Sequence, residues 1–182
     1  MTKPGGTRER IQRVARELFA EKGVQRTSLQ DIATRLGITK PALYYHFSSR
    51  EELVRSILQP LMDEGERFVA DHEERGSATP RELLEGYFDY HYRYRGDLVL
   101  VISELTTLAD LGLIDQLLAW RERLSRLVFG PEPTLQQSAR AVIAFGGLQD
   151  CCLQFPDAPR DELRRATVDG AMSALGISGG RV

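Results

Sequence analysis

Apolar residues along this chain recur at three- and four-residue spacing, and valine, isoleucine and threonine nowhere alternate over a strand's length, so the pattern predicts helices nearly throughout. The first runs from a Thr7 cap to about Lys22, with Ile11, Val14, Ala15, Leu18 and Phe19 on one face, and stops at Gly23. A second starts at Thr27 or Ser28, where Gln30 or Asp31 completes a capping box, and ends at Gly37. A third begins at Thr39, with Pro41 in its first turn where a missing N–H does no harm. Ser48, three residues before Glu51, announces a fourth that carries Leu53, Ile57 and Leu61 inward. Pro60 lies inside that pattern and should kink or restart the helix, which divides the chain into residues 1–58 and 59–182.

Beyond Pro60 the pattern predicts helices at about 61–75, from a Thr79-Pro80 cap to Arg95, and from Asp97 to about Ala109. Another follows Gly112 and continues to Phe129. The run Gly130-Pro131-Glu132-Pro133 is a clear breaker, and helices at about 134–154 and 160–175 follow it, separated by Pro156 and Pro159. The expected architecture is all-α: an N-terminal three-helix head and a helical body.

Charge changes the picture more than overall composition does. The net charge is only −2, which argues against nonspecific nucleic-acid binding by the whole chain. Residues 1–58, however, hold 11 Lys and Arg against 6 Asp and Glu, a balance of +5, and the remainder holds 13 against 20, a balance of −7. A basic head on an acidic body suggests that the head alone approaches phosphate. No run of about 18 apolar residues could cross a membrane and the start lacks a secretion signal, so a cytoplasmic protein is expected. Cys151 and Cys152 are adjacent and provide neither a disulfide framework nor spaced zinc ligands; they read as buried thiols, with redox sensing the alternative. Three scattered histidines, no nucleophile motif and no glycine-rich phosphate loop speak against an enzyme, a catalytic site, a metal or a cofactor.

The sharpest signal lies between Asp31 and Phe47. Two short helices cross steeply when a small residue sits at the crossing, a glycine makes the turn and apolar residues close a small core. Ala33, Gly37 and the set Ile32, Leu36, Ile38 and Leu43 fill those roles, which defines a helix-turn-helix. Its second helix projects Thr39, Lys40, Ala42, Tyr44, Tyr45 and His46 outward. Insertion into a major groove explains such a surface; the alternative is that Tyr44 and Tyr45 pack on the first and fourth helices.

The run from Thr27 to Ala33, then Leu36-Gly37-Ile38-Thr39-Lys40-Pro41-Ala42-Leu43-Tyr44-Tyr45-His46-Phe47, then Arg50-Glu51-Glu52-Leu53, closely resembles the DNA-binding domain of tetracycline-repressor (TetR) family regulators over about residues 8–57. The family more often has lysine where this chain has Arg50. The resemblance implies a homodimer that binds double-stranded operator DNA, and a body whose small-molecule effector changes the separation of the two heads. Lys40 and Thr39 are then candidates for base edges, flanked by Pro41, Ala42 and Tyr45, while Tyr44, His46 and Arg50 position the backbone. Thr27 and Ser28 suit either a phosphate or a plain cap.

In that family the last two helices pair with their symmetry mates. Here Ala141, Ala144, Gly146 and Gly147 in one and Ala166, Gly170, Ala171 and Ala174 in the next leave little side chain between backbones, although packing within one chain would also use them. An effector cavity is expected against the helix at 80–95, where Tyr87, Phe88, His91 and Tyr94 share an apolar face with polar tips, a wall suited to an aromatic or polycyclic ligand. A self-satisfied core is the competing reading. Thr107, Trp120 and Phe145 are further candidates, and Arg121 needs either an acidic partner such as Glu104 or an anionic ligand. A constitutive or ligand-activated DNA binder shares the same head, and ligand-induced release separates these readings from a repressor.

Overall fold

The computed structural model describes residues 6–76, 79–97, 109 and 112–177. Among them the regular elements are helices: α1 (Thr7–Lys22), α2 (Leu29–Leu36), α3 (Lys40–His46), α4 (Arg50–Arg75), α5 (Pro80–Arg93), α6 (Leu113–Phe129), α7 (Leu135–Gln154) and α8 (Arg160–Leu175). The expected stretch beyond Asp97, with Glu104 and Thr107, lies outside the described residues.

Local chemistry sets most helix starts. Ser28 and Asp31, Thr79 and Glu82, and Thr134 and Gln137 each form a reciprocal capping box, so two otherwise orphaned N–H groups are bonded at each start. Two predicted starts are displaced by one residue. Gly6, without a side-chain bond, stands at the cap of α1, so Thr7 is its first helical residue. Ser49 rather than Ser48 caps α4, because the Ser48 N–H and hydroxyl are both committed to Glu52 Oε2 at 2.7 Å.

The expected break at Pro60 does not occur, and α4 runs unbroken for 26 residues. Proline at position 60 cannot donate to the Ser56 carbonyl one turn back. Gln12 of α1 supplies that donor instead, its Nε2 lying 3.2 Å from Ser56 O and 3.0 Å from Ser56 Oγ. The proline thus leaves a carbonyl that fastens α1 to α4.

In the head, α1 packs on α2 and α4, and α2 on α3, around Ile11, Leu18, Ile32, Leu43, Phe47, Leu53 and Ile57, all 2% exposed or less. In the body, α7 and α8 pair closely, α5 lies across both, and α6 packs between α4 and α7. Head and body meet again where Arg16 of α1 bonds Asp97 at 2.6 Å, four residues after α5 ends.

Candidate functional site

The turn between α2 and α3 works because Gly37 takes φ 67°, the left-handed region where a side chain is strained. Its N–H reaches Thr34 O at 3.1 Å and the next N–H, of Ile38, reaches back to Ala33 O at 3.0 Å, closing the end of α2. Leu43 and Phe47 then anchor α3 inward. Its other face stays in solvent: Tyr45 is 87% exposed and Tyr44 43%, and Thr39, Lys40, Pro41 and Ala42 are exposed. The alternative that both tyrosines pack on α1 and α4 therefore fails for Tyr45. Lys40 Nζ lies 5.5 Å over the Tyr44 ring and Tyr45 meets His46 edge-on. Arg8, absent from the sequence-based candidates, adds a cation beside this face by bonding His46 O at 3.0 Å and covering the Phe47 ring. Only the charge balance of the head signalled it.

Two candidates in the head need correction. Thr27 is 1% exposed and its hydroxyl donates to Gly23 O at 2.9 Å, so it is a buried tie and offers nothing to phosphate. Arg50 is spent on Gln25, bonding its backbone O and Oε1 at 3.1 Å each, and so clamps the start of α4 to the α1–α2 loop. Ser28 is exposed but its hydroxyl is the α2 cap, and Asp31, bonded by Ser28, holds its carboxyl below the usual range.

The body contains a cavity of about 60 Å³ between α4, α5 and α6, with Gln149 of α7 at its edge. Of the expected wall it collects Tyr87, His91, Trp120 and Arg121. Phe88, Tyr94 and Phe145 are not part of it. Phe88 sits one residue from Tyr87, about 100° round the helix, and stacks on Tyr92 instead. Tyr94 would follow His91 had α5 continued, but the helix ends at Arg93, and the Tyr94 hydroxyl donates to Glu64 Oε2 at 2.7 Å. Phe145 stands behind Tyr87, edge-on at 5.0 Å.

Sequence reasoning missed Phe68, Tyr90 and Gln149, which line the cavity. Tyr90 was legible, since it lies three residues beyond Tyr87; Phe68 and Gln149 come from other helices. Gly65 gives the aromatic rings room: a Cβ there would meet Trp120 at 2.6 Å and the Tyr90 hydroxyl at 2.8 Å. That hydroxyl donates to Leu61 O, and the Trp120 Nε1 donates to Glu66, which Arg123 also holds. Those two bonds keep the Glu66 carboxyl below its ordinary range. His91 is 5% exposed with neither ring nitrogen bonded; burial, then Arg121, pushes its imidazolium down to about 3, so it is neutral.

A second feature lies along α7 and α8, where Ile143, Gly147, Phe155, Ala166, Gly170 and Ala174 border an open apolar groove of about 310 Å³. Ile143 is 64% exposed and Phe155 54%. Beside Gly147 and Gly170 a Cβ would meet nothing within 4 Å, whereas Gly146 points toward Arg121. Cys152 is buried beneath, its thiol pushed up to about 12 by burial. Among the described residues no group of side chains could hold a metal ion and no helix is long and apolar enough to cross a membrane.

Residues 11–57 match the family model described as bacterial regulatory proteins, tetR family. The transcriptional repressor KstR2 of Mycolicibacterium smegmatis is 34% identical over 119 residues, 63% of this chain and 57% of that protein. The transcriptional regulator TtgR of Pseudomonas putida is 38% identical over 77 residues, covering 42% and 34% of the two chains. The chain thus spans between about a third and three fifths of the length of these curated relatives. Among solved structures, a transcriptional regulator of Aquifex aeolicus described as TerR/AcrR family aligns with TM-score 0.69 and 28% identity over 91% of this chain and 97% of that one. Fold and head together have the form of a helix-turn-helix transcriptional regulator. More narrowly, residues 11–57 form a DNA-binding head of the tetR family type.

Proposed function

We propose that this chain is a ligand-responsive repressor that binds a palindromic operator as a homodimer and is released by a small-molecule inducer. The observation that carries the DNA reading is the solvent face of α3: Lys40, Tyr44, Tyr45 and His46 stand clear of the core that Leu43 and Phe47 anchor. Lys40 and Thr39 meet base edges; Tyr44, Tyr45 and His46 hold phosphates, with Arg8 added to them, while Arg50, Thr27 and Ser28, whose N–H and hydroxyl both donate to Asp31, hold the head together. The M. smegmatis relative is a transcriptional repressor, which favours repression over activation.

The unpartnered α7–α8 groove supports pairing of residues 134–154 and 160–175 with a second copy, since two such faces bury one another about a two-fold axis. The head is residues 1–58 and the body 59–182, with α4 as the rod that crosses between them. Its Gly65 touches the rings of the cavity and its first turn lies in the head, so an aromatic or polycyclic occupant that displaces Trp120 or Tyr90 also moves α4. The small volume of the cavity, far below the roughly 300–1,000 Å³ of ordinary ligand sites, favours as second reading a constitutive DNA binder with no release step.

Selection of bound duplexes from random DNA, followed by binding curves on the winner and a scrambled sequence, tests the first reading. Lys40→Ala should lose preference at one or two positions, at about 1–3 kcal/mol on the preferred sequence. Tyr44→Phe should weaken both DNAs alike. No selected sequence at all would overturn the proposal.

A further inference from the structure

Two buried side chains among the described residues leave polar atoms without a partner, and both stand by the same arginine. His91 has neither ring nitrogen bonded, and Ser125, 4% exposed, has an unbonded hydroxyl. Such groups are rare in a folded chain and call for a ligand or a water. His91 lines the small cavity, while Ser125 lines a groove of about 570 Å³ formed by α6, the turn at 130–133 and α7. Arg121 borders both spaces. Helical spacing makes it the divider: Leu117, Trp120 and Leu124 face the cavity, Leu118, Glu122 and Ser125 face the groove, and Arg121 lies between the two stripes.

No carboxylate among the described residues pairs with Arg121, whereas Arg123 and Arg126 of the same helix are paired to Glu66, Glu73 and Glu122. The Glu122–Arg126 pair is neutral, so the groove keeps one uncompensated positive charge. Around it the walls are apolar, with Leu118 57% and Val142 49% exposed. The groove also has the volume that the inner cavity lacks.

We propose that the effector site extends past Arg121 into this groove and that its occupant is an apolar monocarboxylic acid. Its carboxylate accepts from the Arg121 guanidinium and the Ser125 hydroxyl, and its apolar body covers Leu118 and Val142. A neutral occupant would cover Arg121 and leave its charge uncompensated, which desolvation penalises. This inference rests on the reading of the α4–α6 cavity as the effector site.

Trp120, the single tryptophan of the chain, lines the cavity next to Arg121 and reports occupancy by its fluorescence. The experiment titrates the full chain with cyclohexanecarboxylate and with uncharged cyclohexanecarboxamide, using calorimetry for affinity and Trp120 emission for location. The acid should bind at least about tenfold more tightly than the amide, because charge-assisted bonds are the stronger ones. Arg121→Gln should erase that difference, and Ser125→Ala should weaken the acid several-fold. Val142→Glu, at a half-exposed position, should weaken the acid more than the amide, because both probes lose an apolar contact and only the acid is also repelled. Equal affinity of the parent for acid and amide, with Trp120 responding to both, would overturn the acid class and leave the cavity standing as the effector site. No binding of either probe by calorimetry would overturn both readings. Acid binding unchanged in Arg121→Gln or in Val142→Glu would also defeat the proposal.

Discussion

Replacing His91 by leucine should make the protein less sensitive to acid. The imidazole is buried, unbonded and neutral, with its folded pKa pushed down to about 3 from the ordinary 6.5, first by burial and then by Arg121. Tyr87 and Tyr90, its ring neighbours, have their phenols pushed upward by burial and stay neutral too. As pH falls through 6.5 the unfolded chain takes up a proton that the folded one refuses until about 3, so stability is present above 6.5 and is lost through that window. At about 1.4 kcal/mol per unit, the loss between about pH 7 and about pH 5 comes to roughly 2 kcal/mol. For a chain of this size that is a difference of about 4–8 °C in Tm. Asp31, Glu51, Glu52, Glu66, Glu73 and Glu82 also have lowered pKa values and lose stability with acid, but mostly below this window, and all remain in the variant. Thermal denaturation followed by circular dichroism at the two pH values, at one protein concentration, gives the comparison. His91→Leu should be no less stable than the parent near neutrality, because two unsatisfied nitrogens disappear. It should lose about 2 kcal/mol less on acidification. Equal losses in parent and variant would mean that His91 is protonated in the native state or titrates as it does when unfolded.

Three further outcomes follow from the packing. Gly65→Ala should destabilise the chain by about 1–3 kcal/mol, since the new methyl meets Trp120 and Tyr90, and should change Trp120 fluorescence; an unaltered spectrum and stability would contradict the packing. Gln12→Ala should cost about 1 kcal/mol in the parent and less in a Pro60→Ala background, where the new N–H bonds Ser56 O; equal costs in a denaturant double-mutant cycle would show the Gln12 bond to be idle. Gly170→Leu should yield monomers in sedimentation without loss of helix, because the added side chain stands in open space within the chain but in the way of a second copy; an intact dimer would place the interface elsewhere.

Interactions confined to a few neighbouring residues are legible in the amino-acid sequence alone. The Ser28–Asp31 and Thr79–Glu82 boxes, the turn at Gly37, the breaker at 130–133 and the apolar stripe of α1 each depend on partners within about one or two turns, so spacing alone specifies them. The head was legible for that reason. Readings failed where the deciding partner lies far along the chain. Pro60 looked like a break because Gln12, which takes the freed Ser56 carbonyl, is 44 residues away from Ser56. Arg50 looked free until Gln25 closed on it, and Tyr94 looked like cavity wall until Glu64 drew it aside. Likewise Gly147 rather than Gly146 shares the open groove with Gly170, because α6 brings Arg121 to Gly146. Sequence determines which face of a helix is apolar and where it starts; whether a polar group on that face is capped, paired or left orphaned depends on what the other helices bring within about 3 Å of it, and only tertiary packing decides that.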